Sequence, residues 1–261
     1  MHLRALVRLI AMAVWLAVCA GLHVVVRPFG PSPWPRRLLG GVGWLAGARV
    51  RTVGTRPSAA TLMVANHVSW LDIPMLAGAT DCAFVAKDGL RDHPVMRWLC
   101  EQNGTVFVER ERRGSIADQL LAMESALRSH KPLCLFPEGT VGPDGQMLPF
   151  RPALLKIAEQ TPDRLSIQPV AVDYGRHAAE FGWPAGESGQ ANFLRLLGRK
   201  GTVEVTLHFL QPLGAGQNRK ALAVQAQEAI ASALRMQPQP APRRPDFGWP
   251  SPAGRRIGPA P

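Results

Sequence analysis

The stretch Thr61-Leu62-Met63-Val64-Ala65-Asn66-His67-Val68-Ser69-Trp70-Leu71-Asp72 joins an unbroken apolar run to a polar turn. Five consecutive apolar or β-branched residues read as a strand buried on both faces, and Asn66-His67 closes it. The same grammar recurs outward along the chain. Apolar runs at 82–86, 105–109, 133–136, 167–173 and 202–209 predict further strands. Residues 115–130 carry Ile116, Leu120, Met123 and Leu127 at three-to-four spacing, which predicts an amphipathic helix. Residues 152–160 and 218–235 predict two more. Strands alternating with helices imply an α/β fold: a single domain with a mixed, largely parallel sheet flanked by helices. In such sheets, sites collect in the loops after the carboxyl ends of strands.

The 261 residues suit one main domain with appendages. A hydrophobic fraction of 46% supports a substantial core and excludes disorder throughout. Thirty Lys and Arg against 19 Asp and Glu leave a formal charge of +11, which favours anionic partners. The four cysteines form no Cys-x-x-Cys pair, so neither a zinc knuckle nor a disulfide framework is suggested, and the chain reads as reduced and cytoplasmic.

Residues 1–37 are expected to form a membrane-associated segment, 38–236 the main domain and 237–261 a disordered Pro/Arg-rich tail. No charged residue interrupts 9–22, and the apolar character runs to Val26. That length allows a helix that spans a bilayer or one that lies in its interface; a buried helix and a removed signal are the other readings. Arginines on both sides leave its orientation open.

His67, followed five residues later by Asp72, has the parts of a base and its orienting partner. On a regular helix a separation of five turns side chains about 140° apart. The pair therefore requires His67 in the turn before the helix, with Asn66 near its N-cap. Taken singly, His67 equally suits a structural role and Asp72 a cap. Glu109 and Arg110 end another strand, where a guanidinium offers a planar fork to phosphate oxygens; a solvated charge cluster is the plainer reading. Phe136-Pro137-Glu138-Gly139-Thr140 follows a third strand, with glycines that allow close backbone approach to a ligand. No second histidine stands at ligand spacing near His67, so no metal is expected.

In this order, the Asn-His-x-x-x-x-Asp of Asn66 to Asp72, the Gly-x-x-Phe-Val-Glu-Arg of Gly104 to Arg110, the Phe-Pro-Glu-Gly-Thr of Phe136 to Thr140 and the Pro169-Val170 strand resemble the four blocks of the glycerolipid acyltransferases. That family includes bacterial 1-acylglycerol-3-phosphate O-acyltransferase. The resemblance implies transfer of a fatty acyl group from acyl-CoA or acyl carrier protein, as co-substrate, to a lysolipid hydroxyl, with no other cofactor. It assigns His67 and Asp72 to catalysis, and Asn66, Lys87, Arg110, Glu138, Gly139, Thr140 and Arg151 to substrate binding. It also places the chain at the inner membrane, with its catalytic domain on the cytoplasmic side and an anionic membrane surface as partner.

One departure bears on the acceptor. Relatives acting on lysophosphatidate commonly continue the third block with Arg-Ser, where this chain has Val141-Gly142. The run Leu148-Pro149-Phe150-Arg151, together with Phe84-Val85-Ala86-Lys87 and Trp98, is similar to relatives that acylate other lysolipids, lyso-ornithine lipid among them. Arg151 or Lys87 then supplies the missing charge, holds the donor's phosphates, or is simply solvated. The rival reading is a non-catalytic membrane-surface lipid-binding protein. No helix carries a basic stripe interleaved with aromatics, which argues against a nucleic-acid partner. No Gly-x-Ser-x-Gly elbow occurs, which argues against a serine hydrolase.

Overall fold

A computed structural model describes residues 3–87, 92, 94–108, 116–128, 131–160, 165–214 and 216–235. In chain order the elements are α1 (Leu3–Val26), α2 (Trp34–Leu45), β1 (Ala48–Gly54), β2 (Thr61–Ala65), α3 (Asp72–Thr80), β3 (Ala83–Lys87), α4 (Pro94–Asn103) and β4 (Val106–Val108). Then come α5 (Ile116–Arg128), β5 (Leu133–Leu135), α6 (Lys156–Gln160), β6 (Ser166–Asp173), α7 (Ala178–Phe181), α8 (Gly189–Gly198), β7 (Val203–Phe209) and α9 (Arg219–Leu234). Among the described residues seven strands form one sheet in the order β1-β7-β6-β2-β5-β3-β4. From β6 to β4 all neighbours are parallel, while β7 runs antiparallel to β6 and carries β1 parallel to itself. The carboxyl ends of β2, β3, β4, β5 and β6 therefore share one edge.

Side chains alternate across the sheet, so each strand feeds two cores. In β2, Met63 and Ala65 join the core under α1, α2, α3 and α8, whereas Leu62 and Val64 join the one under α5, α6 and α9. Cover on both faces explains the unbroken apolar run. β7 is buried on one face only, and its Val203, Val205, Leu207 and Phe209 alternate with more exposed residues. β1 escapes the sequence reading because it is an edge strand in which Ala48 alone is buried and Arg49 and Arg51 interrupt the pattern.

α1 is tied to the domain along its length. Arg8 donates to the carbonyls of Leu197, Arg199 and Gly201 at the end of α8, and Trp15 Nε1 donates to the Leu38 carbonyl in α2. The His23 ring bonds Ser32 Oγ at 2.8 Å and Gln102 Oε1, in α4, at 3.0 Å. Ala5, Met12 and Cys19 face inward, while Leu3, Leu6, Val7, Ile10, Val14, Val18, Leu22, Val24 and Val25 are exposed. The alternative of a buried helix does not describe α1, which docks by one face and presents an apolar stripe about 36 Å long on the other. The boundary expected at 37/38 falls inside α2, which packs on both α1 and α3. The proline- and arginine-rich segment 237–261 lies outside the described residues.

Candidate active site

β2 is locked to β6 just beyond its last residue. The Asn66 amide donates to the Val172 carbonyl at 3.1 Å and accepts from the Val172 N–H at 2.8 Å. Asn66 is buried and both ends of its amide are engaged, so it fixes where the chain leaves the sheet. It is not near a helix N-cap, because α3 begins at Asp72, with Leu71 at the N-cap making no side-chain bond. Pro74 falls in the first turn of α3, where a missing N–H is harmless.

The segment between Asn66 and Asp72 is non-helical, and this removes the angular objection to a five-residue pair. Asp72 turns back over it, its Oδ2 accepting from the Val68 N–H at 2.7 Å and the Ser69 N–H at 2.9 Å. The same oxygen stands 2.9 Å from His67 Nδ1. Asp72 is wholly buried, while the His67 side chain remains 16% exposed. Because a carboxylate only accepts, Nδ1 carries the proton and Nε2 of the neutral ring holds the lone pair. Among the described residues, nothing bonds Nε2. The imidazole lies on Phe136, with ring centroids 4.1 Å apart and planes 18° from parallel, and Phe136 in turn stacks on Phe84. Held on one nitrogen and one face, the ring can take a proton at Nε2 and return it.

Glu138 is engaged within the protein. Its Oε1 accepts from the His67 N–H at 2.7 Å and its Oε2 from the Leu148 N–H at 2.6 Å, so it braces the histidine turn against the loop after β5. Burial pushes its carboxyl up to about 8, with the nearby Asp72 charge adding to the rise and the Leu148 and His67 N–H groups resisting it. Gly139 adopts φ +76°, turning the chain directly after Glu138, and Thr140 is exposed beside it. The Arg151 N–H donates to the Pro137 carbonyl at 2.9 Å, which closes the loop and leaves the guanidinium exposed next to it. Lys87 ends β3 on the shared carboxyl edge; its side chain, like Arg110 as a whole, lies outside the described residues.

Two features of the site escaped the sequence reading. Tyr174, just after β6, donates its O–H to Asp72 Oδ1 at 2.6 Å. The available signal was that Tyr174 is the chain's single tyrosine and follows a strand. The second is a cavity of about 490 Å³ behind the His67 turn, lined almost entirely by apolar side chains such as Met12, Leu16, Leu38, Trp70, Ile73 and Phe193. It forms only where α1, α2, α3, α4 and α8 converge, so no single segment announces it.

The family model described as Acyltransferase matches residues 48–173. The chain is 34% identical to a lyso-ornithine lipid O-acyltransferase of Brucella abortus over 222 residues, 77% of this chain and 83% of that protein. It is 33% identical to one of Pseudomonas aeruginosa over 246 residues, 88% and 90% of the two chains. The solved 1-acyl-sn-glycerophosphate (LPA) acyltransferase of Thermotoga maritima shares the fold, with a TM-score of 0.61 at 22% identity, covering 88% of this chain and 96% of that one. The His67–Asp72 turn, on the carboxyl edge of the sheet, falls inside the matched segment, and the chain belongs to the acyltransferase family as an O-acyltransferase of lysolipids.

Proposed function

We propose that this acyltransferase moves a fatty acyl group from a thioester, on coenzyme A or acyl carrier protein, to the hydroxyl of an amino-acid lysolipid of the lyso-ornithine type. The observation that carries the catalytic part is the His67 ring with Nδ1 held by Asp72 and Nε2 unbonded among the described residues. Nε2 takes the proton of the acceptor hydroxyl as its oxygen attacks the thioester carbonyl carbon. The tetrahedral intermediate collapses, the carbon–sulfur bond breaks, and the departing thiolate receives the proton from the imidazolium. No covalent acyl-enzyme is needed. The apolar cavity beside Trp70 suits a fatty chain of one of the two substrates. Lys87, at the end of β3, and Arg151, in the loop after β5, stand on the carboxyl edge, where they would meet the anionic parts of acceptor or donor, and we assign Arg110 the same task from its motif.

The acceptor reading is supported at Val141-Gly142. A Cβ at Gly142 would run into the Gln146 carbonyl, so the backbone of this loop has no room for the Arg-Ser continuation common in lysophosphatidate enzymes. The outer face of α1 suits an amphipathic anchor in the interface of the inner membrane, domain on the cytoplasmic side, with the positive charge of the chain facing anionic lipid. Incubating the purified protein with acyl-CoA, acyl carrier protein thioesters and a lysolipid panel tests the reading by mass spectrometry. Diacylated ornithine lipid is the expected product. Acylation of lysophosphatidate alone would overturn the acceptor, and lipid binding without any turnover would favour the non-catalytic alternative.

A further inference from the structure

We propose that Tyr174 is a positioning residue of the acyl transfer, its phenolic O–H holding the Asp72 carboxylate in the orientation and charge state that orient the His67 imidazole. The inference rests on the reading of His67 as the base. Its ground is how the four hydrogen bonds to Asp72 are divided. Oδ2 is shared by the His67 ring and the Val68 and Ser69 N–H groups, whereas Tyr174 is the partner of Oδ1. Without that hydroxyl a wholly buried carboxylate oxygen would face no donor among the described residues, and charge would concentrate on the side facing the imidazole.

Packing does not account for the hydroxyl. The Tyr174 ring sits against Phe181 with centroids 5.0 Å apart, a contact that phenylalanine would make equally well. The backbone explains how Tyr174 meets a pair about a hundred residues away. Asn66 locks β2 to Val172, so His67, next after Asn66, and Tyr174, two beyond Val172, approach Asp72 from neighbouring strand ends. Among the described residues, Glu138 from the loop after β5 and Cys134 from β5 itself also feel the Asp72 charge, and the Ser69 hydroxyl lies beside the Tyr174 oxygen. Burial and the adjacent carboxylate push the Tyr174 phenol well up, which keeps it protonated as a donor across the working pH range.

The experiment compares wild type, Tyr174→Phe and Phe181→Leu in kcat and KM against pH, with the His67 ring followed by nitrogen-15 NMR. Tyr174→Phe keeps the ring and removes the donor, so kcat should fall about tenfold, the worth of one charge-assisted hydrogen bond, with KM changed less than about twofold. The acidic limb of its profile and the His67 titration should both move to higher pH. Phe181→Leu loosens the packing, keeps the hydroxyl, and should leave the profile in place. A Tyr174→Phe profile superimposable on wild type would overturn the proposal, as would an equal displacement in Phe181→Leu. If wild type transfers no acyl group to any acceptor, the functional reading fails, while the NMR titrations still decide whether Tyr174 acts on His67 through Asp72.

Discussion

Asp72 Oδ2 lies 2.9 Å from His67 Nδ1 and at the same time receives the N–H groups of Val68 and Ser69, so one oxygen both orients the imidazole and builds the turn that carries it. The two residues should therefore respond differently to mutation. His67→Ala removes a partly exposed ring and should lower acyl transfer at least about 10²-fold, with little change in melting temperature. Asp72→Asn should lower both. An amide in place of the carboxylate sets an N–H against one of its former donors in a buried site, which costs on the order of 1–3 kcal/mol. Calorimetry and initial rates on the two variants separate the effects; equal stability losses would show that the turn does not depend on the carboxylate.

Glu138 gives the fold a pH dependence of defined sign. Its carboxyl has an ordinary value of 4.5 and rises to about 8 in the folded protein, so the folded state binds this proton more tightly than the unfolded chain. The associated stability is fully present below pH 4.5 and is lost as the pH climbs through about 8. Glu138→Gln cannot titrate. It should be less stable than wild type at low pH, since its NH2 cannot accept from an N–H as the hydroxyl oxygen of the protonated carboxyl can, yet it should lack the alkaline decline. Thermal melts between pH 5 and 9 would contradict this if both proteins lost stability in parallel over that range.

The sequence discloses most where cause and effect are close together. β2 and β6 were legible because burial on both faces demands continuous apolar runs, and His67 with Asp72 because five residues span the whole interaction. β1 was hidden by its edge position. α2, with Pro33 at its N-cap, carries Pro35, Gly40, Gly41 and Gly43, residues that give no helical signal. Gly40 in fact lies against Gly78 of α3 so closely that a Cβ on Gly78 would overlap it, and the glycines let the two helices touch. The internal partners of Asn66 and Glu138 are beyond local reach: Val172 is 106 residues from Asn66, and the His67 N–H is 71 from Glu138. Tyr174 lies 102 residues from Asp72, so its partner emerges only once the strand order is known.

The loop after β5 should resist conversion to the Arg-Ser pattern. Gly142→Ser places a Cβ against the Gln146 carbonyl, with Leu148 close behind, and Leu148 is the residue whose N–H meets Glu138. The backbone must shift, at a cost of roughly 1–3 kcal/mol. The displacement should pass through Glu138 to the His67 N–H, so activity toward every acceptor should fall together. Val141→Arg alone meets no such obstacle and should fold normally. A Gly142→Ser protein with unchanged melting temperature and a gain of lysophosphatidate turnover would show that the loop adapts and that the acceptor is chosen elsewhere.

The outer face of α1 makes a prediction about membrane binding that is independent of catalysis. Val14 and Val18 are 59% and 46% exposed, one turn apart, and take no part in the side-chain hydrogen bonds that hold the helix to the domain. Docking instead runs through Arg8, Trp15, His23 and the inward Ala5, Met12 and Cys19. Val14→Asp with Val18→Asp should therefore leave the fold intact while weakening partition onto lipid vesicles. Losing two apolar side chains of about 1.5 kcal/mol each, with charge put in their place, predicts at least about a 100-fold drop in vesicle affinity. Arg8→Ala should do the reverse, loosening α1 from the end of α8 and lowering the melting temperature while the lipid-facing stripe stays whole. Vesicle flotation paired with thermal melts reads both effects. Undiminished flotation of the double aspartate variant would mean that some other surface carries the protein to the membrane.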